Sequence, residues 1–184
     1  MSLLFRPATG ADADRVAALH TDSWQRHYRG AYTDDYLDRA AADDRRQVWT
    51  ARLGTPSPAT ATILAEQDGE LAGFAHVIFD DHATWGSLVD NLHVVAHRHR
   101  GGIGRQLLSR AAAAAVTGAS AAGVHLWVLR QNTAAQAFYR ACGAVCVETG
   151  VASAPGGDPA HLRGAPEKLR MAWPDAAVLA AGAG

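Results

Sequence analysis

Cysteine is nearly absent. Of 184 residues only Cys142 and Cys146 carry a thiol, with no second pair, so the chain holds neither a disulfide framework nor a zinc ligand set and both read as reduced thiols. Charge of either sign in excess is also missing. A formal net charge of −1 gives no global cationic field, which excludes nucleic acid and an anionic membrane as main partners. No apolar run of about 18 residues occurs, and the start Met1-Ser2-Leu3-Leu4-Phe5-Arg6-Pro7 lacks a basic stretch leading into one, so a cytoplasmic protein with no membrane partner is expected. Lysine is limited to Lys168, and alanine runs such as Ala111 to Ala115 read as helix filler. With 48% hydrophobic and 19% charged residues, the composition fits one domain over residues 1–174, followed by a flexible Ala- and Gly-rich tail over 175–184.

The pattern along the chain alternates strands and helices. Leu3 to Arg6 reads as a short strand closed by Pro7, after which Thr9 and Asp12 can cap a helix carrying Val16, Leu19 and Trp24. Gly30 interrupts it, and Thr33-Asp34-Asp35 can start a second helix through Leu37, Val48 and Trp49. Thr60 to Glu66 and Leu71 to Phe79 flank Asp68-Gly69, a hairpin signal. Trp85 to Val95 is a further strand. It feeds a helix from Gly102 to about Gly118 on which Ile103, Leu107, Leu108, Ala111 and Ala115 share a face. Val124 to Leu129 is strand-like, Asn132 to Ala141 is a helix ending at Gly143, and Ala144 to Thr149 and Leu169 to Trp173 are the last strands. Between these two lies Gly150 to Pro166, a loop long for a compact domain and so either functional, as a lid over a pocket, or a disordered, solvated excursion.

Glycines crowd the point where a strand becomes a helix, in His99-Arg100-Gly101-Gly102-Ile103-Gly104-Arg105. Amides in the first turn of a helix lack intrahelical partners and sit at the positive end of its dipole, so this is where an anion meets bare backbone. No Gly-Lys-Ser/Thr follows at P-loop spacing, and no third glycine or later acidic residue completes a dinucleotide fingerprint. The histidines His76, His82, His93, His97 and His99 lie along strands and a basic loop without paired carboxylate spacing, so no metal site is expected.

The spacing His99-x-x-Gly102-x-Gly104 resembles the pyrophosphate loop of the GNAT (GCN5-related N-acetyltransferase) superfamily, and Asn132-x-x-Ala135-x-x-Phe138-Tyr139-x-x-x-Gly143 resembles that family's second signature. Leu92-His93-Val94 and Trp24-x-x-x-Tyr28-x-Gly30 are similar to members of it as well. The resemblance runs from Leu3 to about Trp173. Two departures stand out: His99 replaces the usual Gln or Arg, and Leu88 stands where a catalytic Glu often is.

The resemblance implies an α/β fold: a mixed, mostly antiparallel twisted sheet of about seven strands with splayed central strands, flanked by about four helices. It implies acetyl-CoA as cosubstrate, without a metal, its pantetheine filling the place of a missing strand. Contacts to it would come from Leu92, His93, Val94, His99, Arg100, Gly101, Gly102, Ile103, Gly104, Arg105, Asn132 and Phe138, with backbone N–H groups near His93 and Val94 holding the oxyanion. Tyr139 would protonate the departing thiolate, or else anchor its helix. Asn132 could equally cap the helix, and Phe138 could belong to the core. Asp90, on the face of Leu88 in a regular strand, would be the base or a helix-pairing carboxylate; His93 faces the other way unless a bulge intervenes. Trp24 and Tyr28, with Tyr32, Asp34 and Asp35, would wall the acceptor pocket, aromatics that suit an amine. The activity expected is direct acetyl transfer to the primary amine of a small molecule, by a monomer or homodimer. The alternatives are a protein or peptide N-acetyltransferase, or a non-catalytic acyl-CoA-binding sensor.

Overall fold

A computed structural model describes residues 3–98 and 101–182. In it β1 (Leu3–Pro7) pairs antiparallel with β2 (Thr60–Gln67), which turns into β3 (Glu70–His82). The turn residues Asp68 and Gly69 have φ of 55° and 85°, the left-handed geometry that a tight hairpin needs and that an Asp-Gly pair supplies. β4 (Gly86–Val94) follows antiparallel to β3. With β5 (Val124–Leu129), β6 (Val145–Val151) and β7 (Glu167–Trp173) it completes a seven-stranded sheet of order β1-β2-β3-β4-β5-β7-β6. Only β4 and β5 run parallel within it.

Side-chain alternation in β3 assigns the two faces. Phe74 and, from β2, Leu64 meet Val16 and Leu19 of α1 (Ala13–His27) and Trp49 and Leu53 of α2 (Ala41–Gly54). Ala75 and Val77 point the other way, into the main core with Leu107, Leu108 and Ala111 of α3 (Ile103–Gly118) and Tyr139 of α4 (Thr133–Ala141). The expected cap at Thr9 and Asp12 forms: the Thr9 amide donates to Asp12 Oδ2 at 2.7 Å. Asp12 is also bonded by Arg6 and Arg15, and Arg6 in turn reaches Glu66, which ties β1, β2 and the start of α1 together. A wide π-helical turn, Tyr36–Ala40, precedes α2.

The segment after Pro174, expected as a loose tail, is instead a fifth helix, α5 (Ala176–Ala181). Asp175 caps it by accepting from the Ala177 amide at 2.8 Å, Ala176 and Leu179 are buried in the main core, and Ser109 Oγ donates to the Ala180 carbonyl at 2.6 Å. An Asp cap and an apolar pair three residues apart suffice for a short helix once α3 offers a surface. No helix among the described residues is long and apolar enough to cross a membrane.

Candidate active site

β4 and β5 touch only at one end. Ser87 pairs with Val124 and Leu88 with His125, and beyond these no further register links the two strands, whereas β5 keeps six residues paired with β7 on its other side. The contact is drawn tight by glycine: a Cβ on Gly86, whose φ is +75°, would lie 2.0 Å from the Gly123 carbonyl oxygen, and the Ser87 amide donates to that same oxygen at 3.0 Å. The strands therefore form a V whose apex is at Gly86 and Gly123 and whose mouth opens toward Val94 and Leu129.

A bulge decides what β4 shows to each side. His76 pairs with Asn91 while its neighbour Val77 pairs with Val89, which leaves Asp90 as an extra residue. Val89, Leu92 and Val94 accordingly pack on the α3 face, while Asn91 and His93 share the face of Phe74 under α1 and α2. Asp90 stays with Asn91: Arg52 Nη1 donates to both, at 2.8 Å and 3.0 Å. His93 and Asp90 thus end on one side of the strand, the arrangement in which His93 is available to an acceptor. Ser23 Oγ contacts His93 Nδ1 at 2.7 Å, and the His20 ring lies 4.7 Å away, itself fixed by Trp49 Nε1–H donating to His20 Nδ1. Burial first, with the nearby His27 and Arg45 charges adding and Asp90 opposing, pulls the His93 pKa down to about 4, so the ring is neutral at pH 7.

At the mouth of the V, Gly102 is the N-cap of α3 with φ 79°, and no acidic residue occupies the first turn. Gly101 is exposed and Ile103 buried. Arg105 lies on the surface beside this end and donates to the Ala141 carbonyl at 3.3 Å. His99 and Arg100 lie outside the described residues. Asn132 does cap α4, accepting from the Ala135 amide at 3.1 Å. Phe138 is half-buried against the main core, and its ring is 3.5 Å from where a Cβ on Gly104 would stand. Tyr139, 9% exposed, sits with its ring 5.2 Å from Phe138. Burial, then the neighbouring Tyr28, raises the Tyr139 pKa above the ordinary tyrosine value, so it carries its proton throughout the neutral range.

The acceptor side is a ring of aromatics. Trp24 is edge-on to Tyr32 at 5.3 Å and tilted against Tyr28 at 5.4 Å, and Tyr36 stacks on His161 at 4.3 Å. Burial, then Asp90, pushes the Tyr28 pKa up to about 12. Asp34 does not face this ring as a free carboxylate: it is bonded to Arg29 and to Arg163. The long loop between β6 and β7 is docked here rather than swinging free, because the Thr33 amide donates to the His161 carbonyl and the Arg163 amide to the Ala31 carbonyl, each at 2.9 Å. Ser23, His20, Arg45, Arg52 and Asn91 all enter the site without having been singled out by the sequence. Arg45, Trp49 and Arg52 recur at helical spacing along one stripe of α2, of which the sequence reading named only Trp49. Among the described residues no group of three metal-ligating side chains converges.

A parallel strand pair splayed beyond two residues, with a glycine-capped helix at its mouth, defines an acyltransferase-type cleft. The chain belongs to the GNAT acetyltransferase family, whose family model matches residues 16–144. The fold is shared with PaiA N-acetyltransferase from Thermoplasma acidophilum, solved in complex with coenzyme A (TM-score 0.73, 18% identity, 94% of this chain and 100% of that one). It is shared also with YncA from Salmonella typhimurium, solved with its cofactor acetyl-CoA (0.67, 16%, 95% and 94%). A third, NAA60 of Arabidopsis thaliana in complex with acetyl-CoA, has a TM-score of 0.66 at 16% identity, covering 94% of this chain and 98% of that one. No curated protein matches the sequence.

Proposed function

We propose that the protein transfers the acetyl group of acetyl-CoA to the primary amine of a small molecule, by direct attack within a ternary complex. The observation that carries this reading is the V between β4 and β5, with proton-handling side chains on both walls: neutral Tyr139 on one, His93 and Asp90 on the other. Acetyl-CoA would supply an activated thioester. The residues present fit it: the first-turn amides of the sixteen-residue helix α3 begin at a side-chain-free N-cap with no acidic residue in that turn, and Arg105 adds charge at the same end. That combination favours a diphosphate.

The remaining roles belong to this chain's own groups. The backbone of β4 around His93 and Val94 would offer N–H donors to the oxygen that becomes negative as the amine attacks. Asp90, paired with Arg52 at 2.8 Å, would draw the proton from the ammonium through water, and the neutral His93 ring beside it would accept a hydrogen bond rather than repel the substrate's charge. Tyr139 would return a proton to the leaving thiolate. Neither Cys142 nor Cys146 need form an acyl intermediate, and neither is disulfide-bonded. The docked loop, whose His161 stacks on Tyr36, covers one side of the aromatic ring and so supports a small acceptor over an extended peptide. Thiol release from acetyl-CoA across a panel of small amines tests the proposal. Release that depends on the amine is expected; acetyl-CoA binding without release for every amine would leave the chain a sensor instead.

A further inference from the structure

Arg45 lies buried in the acceptor wall, and the protein satisfies only part of it. The residue projects from α2 one turn ahead of Trp49, and its guanidinium carbon lies 4.2 Å from the centroid of the Trp24 ring. Nη2 donates to Asp44 Oδ2 at 3.0 Å. That carboxylate oxygen is shared, because the Tyr36 hydroxyl donates to it as well. Arg45 Nε is enclosed and has no acceptor among the described residues. A buried guanidinium donor left open is costly, and native proteins retain one mostly where something else completes it. The side chain as a whole keeps 11% of its surface exposed, so the guanidinium is not sealed from solvent.

Its position relative to the reacting centre follows from the ring contacts: Trp24, over which it lies, packs 4.8 Å from the His20 ring, and that ring is 4.7 Å from His93. Its charge acts on Tyr28, Tyr32, Tyr36 and His93. Asp90 acts on Tyr28 and His93 with the opposite sign. Tyr28 and His93 therefore lie within the fields of both a carboxylate and a guanidinium. An ammonium drawn toward Asp90 leaves the part of the guanidinium that Asp44 does not engage to be met by an anion. A diamine would press a second cation against Arg45, and a peptide would offer it a neutral amide.

We propose that the acceptor is an amino-acid-like molecule whose carboxylate is bound by Arg45 while its amine is presented at Asp90 and His93. The guanidinium fork is shaped for a carboxylate, and Trp24 and Tyr28 supply flat apolar surface for the rest of the molecule. This deepens the acetyl-transfer reading above and rests on it.

The test measures thiol release from acetyl-CoA with matched sets: an amino acid, its carboxamide, and the amine that lacks the carboxylate. Wild-type kcat/KM should favour the acid within a set at least about 10-fold, and Arg45→Met should lower that preference about 10- to 100-fold. Arg45→Lys, which keeps the charge but not the fork, should restore part of it, and it carries the test alone should the methionine variant not fold. Equal use of acid and amine, preference for the carboxamide, or an Arg45→Met loss that falls equally on all members would each overturn the proposal. Calorimetry with acetyl-CoA on the same proteins separates the two levels. Binding and turnover of other amines, with no amino acid acetylated, removes the carboxylate site alone; no thiol release with any amine removes the acetyl-transfer reading beneath it.

Discussion

Ser23 Oγ and His93 Nδ1 stand 2.7 Å apart, so that a side chain of α1 holds the ring of a β4 residue at the centre of the acceptor face. The bond crosses 70 residues of sequence and fixes the distance between the helical cover and the sheet where the cleft begins to open. Replacing Ser23 by Ala should cost about 1 kcal/mol, the net worth of one partly buried hydrogen bond. The urea midpoint measures it, and a midpoint equal to wild type would mean the ring is held by packing alone.

Stability should fall on mild acidification, well before the carboxylates titrate. Burial holds His76, His93 and His125 down at about 4, and His20 well below its ordinary range. An unfolded chain protonates its histidines near about 6.5 while the folded one does not, so their contribution is complete above that pH and is lost as pH falls from 6.5 toward 4, at up to about 1.4 kcal/mol per pH unit and per ring. Asp12 and Glu66, lowered chiefly by hydrogen bonds from Arg6, behave as depressed carboxylates and lose their contribution only at still lower pH. Urea denaturation at pH 8, 7, 6 and 5 should show the decline starting between 7 and 6. A flat profile down to pH 5 would contradict it.

Removing the phenolic hydroxyl in Tyr139→Phe should lower kcat roughly 10²- to 10⁴-fold while acetyl-CoA affinity changes little, since only a proton donor is lost. Because burial raises the Tyr139 pKa, no loss of wild-type activity from its ionisation is expected up to pH 9. Steady-state rates beside calorimetric affinities decide this, and a variant with wild-type turnover would leave Tyr139 a structural residue only.

Gly86 tolerates no side chain. Alanine there would have to adopt φ +75° and bring its Cβ to 2.0 Å from the Gly123 carbonyl oxygen, so Gly86→Ala should destabilise the fold by about 2 kcal/mol or more. Thermal denaturation tests this against Gly69→Ala in the exposed hairpin, where a Cβ meets nothing within 4 Å and only the backbone strain remains.

Every strand and the first four helices were legible in the sequence, because each depends on local pattern: alternation in Leu71 to Phe79, helical spacing from Ile103 to Ala115, and turn chemistry at Asp68-Gly69. Tyr139 and Asn132 were singled out through the resemblance of Asn132-x-x-Ala135-x-x-Phe138-Tyr139 to the family's second signature. What escaped depends on contacts between distant segments. The extra residue at Asp90 shows only in its pairing with β3, and the pairing Arg52 makes with it joins α2 to β4 across 38 residues. Arg45 looked like one charge among many on a helix rich in Asp and Arg until Trp24 was seen beneath it. The fifth helix was hidden by composition, since Ala and Gly at a chain end resemble slack until a neighbouring helix receives them.

The extra residue in β4 sets the facing of everything after it. Val89 and Asn91 stand two apart and would share a face in a regular strand, yet with Asp90 bulged out they face opposite ways. Deleting Asp90 would therefore leave Asn91, Leu92, His93 and Val94 as they are and remove only the carboxylate. Flattening the bulge with Asp90 retained would instead drive His93 under α3 and bring Leu92 and Val94 to the acceptor side, turning the inner wall of the cleft from imidazole to hydrocarbon.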